Sequence, residues 1–148
     1  MRNRSKWLVA GVSLAGAAAL AGCETVGNVV GVGITASLSG AQEVPGPGDP
    51  DGRGTAEVTV VDRTDNLCYE VEVANIEVAT AAHIHRGRIG QAGPPVVTLD
   101  APTDGESNGC LSIATELADE IIRNPDGFYI NVHNARYPDG AVRGQLVR

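Results

Sequence analysis

Two stretches decide the fold: Thr55-Ala56-Glu57-Val58-Thr59-Val60-Val61 and Leu67-Cys68-Tyr69-Glu70-Val71-Glu72-Val73. Both alternate. In the first, Ala56, Val58 and Val60 point one way, and Thr55, Glu57 and Thr59 the other. In the second, Leu67, Tyr69, Val71 and Val73 oppose Cys68, Glu70 and Glu72. A period of two over seven residues reads as a half-buried β-strand. The turn-forming cluster Asp62–Asn66 between them reads as a hairpin connection. Outward from this pair, strands are expected at Ile34–Ser39, Thr80–His85, Val96–Leu99, Cys110–Ile113, Gly127–His133 and Ala141–Val147. Loops rich in Gly and Pro are expected at Gly40–Gly54 and Gly87–Pro95. Thr115–Arg123 reads as one short helix, with Thr115 as its cap and Leu117 and Ile121 sharing a face. Asn124-Pro125-Asp126-Gly127 ends it. Many short strands with turns between them imply an all-β fold, an antiparallel Greek-key β-sandwich or barrel.

The N-terminus reads as an address. Arg2, Arg4 and Lys6 precede an uncharged run from Trp7 to Leu20, and Leu20-Ala21-Gly22-Cys23 follows. Basic head, apolar run and small-residue cleavage box form a secretory signal. Its ending resembles a bacterial lipoprotein signal, in which Cys23 is lipidated and becomes the new N-terminus. Residues 7–22 are too short for a membrane span, which needs about 20 apolar residues. The organisation expected is a signal peptide at 1–22, a flexible lipidated tether at 23–33 and a sandwich domain at 34–148. Val residues in the tether leave room for a short edge strand instead. The location expected is the bacterial cell envelope. Glu24 after the cysteine resembles outer-membrane-sorted lipoproteins, for a cell with two membranes.

Charge narrows the partners. The 148 residues carry 11 basic and 18 acidic side chains, a net charge of −7. Removal of residues 1–22 leaves eight basic residues against 18 acidic ones, a net charge of −10, and no lysine. Such a chain is not expected to bind nucleic acid. Nor does its charge suit an anionic lipid surface, so membrane attachment falls to the N-terminal lipid. Cys68 and Cys110 remain after Cys23, and an oxidising compartment with an even count favours a disulfide between them.

Four stretches carry a family resemblance. They are Leu38–Pro45 (LSGAQEVP), Ala82–Gly87 (AHIHRG) with Gly93–Val97 after it, Phe128–Asn134 (FYINVHN), and Asp139–Leu146 (DGAVRGQL). Their order and spacing closely resemble the CHRD domain, named for its occurrence in chordin and common in bacterial exported proteins. The resemblance runs from about Ile34 to Arg148. It implies an immunoglobulin-like or related sandwich and supplies no defined activity.

The chemistry-bearing residues cluster in the same stretches. His83 and His85 lie two apart on one strand and therefore share a face. His133 ends another strand on its non-core parity. Imidazoles in this pattern suit copper or zinc. The His-Ile-His run is similar to the copper half of the copper–zinc superoxide dismutase site, but the chain has no bridging histidine and no further histidine for zinc. The same rings also suit a structural role, bonding loop carbonyls. If Asn134–Gly140 is a hairpin loop, Asn131 faces Arg143 and Tyr129 faces Gln145. Tyr129, Asn131, Arg143 and Gln145 then form a polar patch, read either as a solvated outer face or as a recognition surface. No nucleophile elbow or phosphate loop is present. The leading expectation is a non-enzymatic envelope lipoprotein that acts in binding, adhesion or structural support through a protein or envelope ligand. The alternative is a copper- or zinc-binding protein using His83, His85 and His133, with a dismutase-like redox enzyme behind it.

Overall fold

The computed structural model describes residues 31–61 and 64–148. Eight strands form: β1 (Gly31–Ser39), β2 (Arg53–Val61), β3 (Asn66–Ala74), β4 (Ala79–Arg86), β5 (Pro95–Leu99), β6 (Glu106–Ser112), β7 (Phe128–Asn134) and β8 (Val142–Gln145), with helix α1 (Thr115–Arg123) between β6 and β7. They pair antiparallel in the order β5-β4-β7-β8-β1-β2-β3-β6. The fold is all-β. The β3–β4, β5–β6 and β6–β7 connections cross between the two four-stranded halves, the last through α1, and the halves enclose one core.

Cross-strand rows show why the alternation works. Ala36, Ala56 and Val71 lie side by side across β1, β2 and β3, as do Ile34, Val58 and Tyr69. Ala82, Val132 and Val142 form a row in the other half. All nine belong to the same buried cluster. The halves meet at β8–β1, through Ser39 opposite Arg143 and a bridge from Thr35 to Val147. Gly144 allows this approach: a Cβ there would lie 2.6 Å from the Ser37 carbonyl oxygen.

Several boundaries differ from the sequence expectations. β1 begins at Gly31, so Gly31–Gly33 belong to the sheet rather than to a tether. β6 begins at Glu106, because pairing with β3 runs the length from Glu72↔Glu106 to Asn66↔Ser112. The helix spans the expected residues, but Thr115 does not cap it. Ala114 occupies the cap position without a side-chain bond, and the Thr115 hydroxyl donates to Asp65 at 2.7 Å. Cys68 and Cys110 lie directly opposite each other on β3 and β6 and are joined as a disulfide. Cys23 and the signal region lie outside the described residues. Among the described residues, no helix is long and apolar enough to cross a membrane.

Candidate metal centre

β4 and β7 are neighbours, and this adjacency assembles the site. Their register sets His83 opposite Asn131, His85 opposite Tyr129 and Ala81 opposite His133. Ala82, Ile84, Ile130 and Val132 face the core, so the three histidines share the other face. Ring centroids lie 5.2 Å apart for His83–His133, 5.5 Å for His83–His85 and 6.0 Å for His85–His133. One potential ligand nitrogen from each ring lies within 4.8 Å of the other two. Three nitrogens about 2.0–2.1 Å from one tetrahedral ion stand roughly 3.4 Å apart. A bound ion would draw the nitrogens closer by side-chain rotation.

Hydrogen bonds settle which nitrogens are available. His85 Nδ1 bonds the Gly93 carbonyl at 2.9 Å, and His133 Nδ1 bonds the Pro138 carbonyl at 3.0 Å. A carbonyl only accepts, so each neutral ring carries its proton on Nδ1 and presents a lone pair at Nε2. Both Nε2 atoms are buried without a partner, as is His83 Nδ1. A metal-ligating histidine characteristically has its second nitrogen tied to a carbonyl or carboxylate. Burial pushes the pKa of all three rings down; at His85 and His133 the carbonyl bonds oppose it, and neighbouring positive charge adds to the depression. The rings are thus held in the neutral form that ligates.

The polar patch has the expected register, Tyr129↔Gln145 and Asn131↔Arg143. It is not a solvated face: Tyr129, Asn131, Arg143 and Gln145 are all buried. The physical reason is that loops fold over this face and the patch holds them there. Arg143 Nη2 donates to the carbonyls of Arg88 (3.0 Å) and Gln91 (2.8 Å), while its guanidinium lies 3.5 Å from the Tyr129 ring centroid. Gln145 Nε2 donates to the carbonyls of Gly87 and Asp126, each at 2.9 Å. The Tyr129 hydroxyl accepts from Gly93 N at 3.1 Å, and the Tyr129 ring stacks on His85. The patch therefore positions the β4–β5 loop that supplies the Gly93 carbonyl to His85.

Sequence reasoning missed Glu43 as a site residue. It projects from the β1–β2 loop onto Asn131, whose Nδ2 donates to Glu43 Oε2 at 3.2 Å. Burial raises its pKa to about 7, against the lowering effects of the Asn131 bond and the Arg143 charge. The only signal was that Glu43 is the sole charged residue between Ile34 and Gly48.

The fold and this site define an all-β sandwich protein with a three-histidine cluster beneath loops on one outer face. The profile of the CHRD domain matches residues 34–146, and the chain belongs to the CHRD domain family. No curated protein and no solved structure matches it significantly.

Proposed function

We propose that this CHRD domain binds one transition-metal ion, copper before zinc, through His83, His85 and His133. One observation carries the reading: one nitrogen from each of the three rings lies within 4.8 Å of the other two, while each ring leaves a nitrogen buried without a partner and two of the rings are fixed by backbone carbonyls. Structural histidines normally satisfy their buried nitrogens, since an orphaned polar atom costs about 1–3 kcal/mol. Copper takes precedence because an all-imidazole set follows the Irving–Williams order, in which Cu²⁺ exceeds Zn²⁺. His83 and His133 are only half-buried, which leaves one side of the cluster approachable.

The role proposed is binding rather than catalysis, at the cell envelope, with Cys23 as the lipid attachment. The general binding or support role read from the sequence thereby acquires a ligand. The test is titration of EDTA-stripped protein with Cu²⁺ and Zn²⁺, read by elemental analysis after desalting. One ion per chain is expected, lost in the His83→Ala/His85→Ala/His133→Ala variant, with circular dichroism to show that the variant folds. Equal loading of a folded triple variant, or no loading of the parent, overturns the reading. A dismutase assay on the loaded protein then separates binding from redox catalysis. Fractionation of cells carrying Cys23→Ser tests the anchor: release from the membrane is expected, and retention like the parent overturns it.

A further inference from the structure

Next to the histidine cluster, on the β8 side of the same face, a groove of about 240 Å³ runs between the Ala41–Val44 strip and the β4–β5 loop tip at Ile89 and Gly90. Glu43, Arg143 and Gln145 also line it. These three are 6 %, 2 % and 7 % exposed, yet each leaves a buried polar atom without a partner: Glu43 Oε1, Arg143 Nη1 and Gln145 Oε1. A second polar atom of each is engaged. Arg143 Nη2 holds two loop carbonyls, Gln145 Nε2 holds backbone carbonyls, and Glu43 Oε2 accepts from Asn131. Three orphaned atoms on residues that line one groove are an unusual concentration, because buried polar side chains are paired in the large majority of cases.

The charge is only partly matched, since the Glu43 carboxyl interacts with the Arg143 guanidinium but forms no ion pair with it. Among the described residues, Arg143 makes no salt bridge, although it is nearly fully buried. A buried cation without a paired anion is costly. We infer that this groove is a binding site for a compact oxyanion that carries its own hydroxyl, anchored on Arg143 Nη1 and donating to Gln145 Oε1 or Glu43 Oε1. The anion supplies a directly paired countercharge. Its hydroxyl satisfies an acceptor that a fully deprotonated oxyanion leaves empty. A groove of about 240 Å³ holds roughly eight waters' worth of liquid volume, which suits a phosphate or a short hydroxycarboxylate. This site uses none of the three histidines, so it stands or falls apart from the metal reading.

The experiment uses metal-free protein and follows backbone and arginine side-chain NMR signals during titration with inorganic phosphate and, separately, glycolate. Perchlorate, which has charge but no hydroxyl, is the control. Saturable shifts centred on Ala41–Val44, Ile89, Gly90 and the Arg143 side chain are expected with at least one hydroxyl-bearing anion. Which of the two acts at lower concentration tells phosphate from carboxylate. Arg143→Gln should abolish the response, but Arg143 also holds a loop, so a second variant is needed. Ile89 is 81 % exposed at the lip, so Ile89→Glu keeps the fold and places a like charge at the entrance. It should weaken binding at least fivefold. Equal binding by Ile89→Glu and the parent, equal response to perchlorate, or absence of saturable shifts with both anions overturns the proposal.

Discussion

Glu43 should make the protein less stable as pH rises through neutrality, and Glu43→Gln should remove that loss. The carboxyl is 6 % exposed, with one oxygen bonded to Asn131 and the other unpartnered. Burial raises its pKa from 4.5 to about 7. The folded state therefore binds this proton more tightly than the unfolded state. The stabilisation is fully present below about 4.5 and is lost progressively as pH rises to about 7. At about 1.4 kcal/mol for each tenfold in proton affinity, the loss amounts to about 3 kcal/mol. Glutamine keeps the shape and the neutrality at every pH. Urea unfolding of both proteins, with EDTA present and the disulfide intact, gives the difference in stability. The histidines slope the other way, since their depressed pKa values add stability above the ordinary imidazole range and lose it as pH falls, but they are common to both proteins and cancel. The expected difference is near zero at pH 4.5 and about 3 kcal/mol in favour of Glu43→Gln at pH 8. A difference that stays flat across that window, or one that favours the parent as pH rises, refutes the burial argument.

Other outcomes follow from the same geometry. Because burial lowers the pKa of all three histidines from 6.5, protons should displace the metal only below that pH; elemental analysis after dialysis at stepped pH measures it. Gly140→Ala should destabilise by about 2 kcal/mol or more in urea, because φ is +149° and the added Cβ would stand 2.3 Å from Glu43 Oε2 and 2.6 Å from Asn131 Oδ1. Reduction of Cys68–Cys110, which lie 42 residues apart, should cost about 4 kcal/mol by the chain-entropy account; an unchanged urea midpoint would contradict it.

The legible part of the fold was the part with local period. Ala56, Val58 and Val60 against Thr55, Glu57 and Thr59 fixed the inward face of β2, and the structure buries that set. The last hairpin could be registered on paper, since strand parity and one loop length determine it, and Asn131↔Arg143 and Tyr129↔Gln145 result. What parity cannot give is the cover over a face. Tyr129, Asn131, Arg143 and Gln145 share the non-core side, which parity leaves open between a solvated face and a recognition surface, and the return of the β1–β2 and β4–β5 loops buries it. Convergence of His133 with His83 and His85 rests on β4 pairing with β7, a contact across about 50 residues that no local pattern encodes. Glu43 was hidden for the same reason, since its partner Asn131 is 88 residues away.

The β7–β8 part of the sandwich is therefore covered by apolar side chains within and, over Tyr129, Asn131, Arg143 and Gln145, by loop backbone without. The outer layer offers carbonyl groups, and the sheet answers with donors: Arg143, Gln145 and Asn131 reach loop carbonyls, and His85 and His133 bond those of Gly93 and Pro138. This arrangement links the stability of the loops to the orientation of the rings. Arg143 holds the carbonyls of Arg88 and Gln91, and Tyr129 holds Gly93, so the acceptor that keeps the His85 proton on Nδ1 is fixed by side chains two strands deep in the same patch. Loss of that acceptor frees the ring to rotate and to carry its proton on either nitrogen, and a ligand set then has to be ordered at the moment of binding rather than beforehand. The polar patch and the histidine cluster are on this argument one construction: the patch fixes the loop, the loop fixes the tautomer, and the tautomer aims the lone pair.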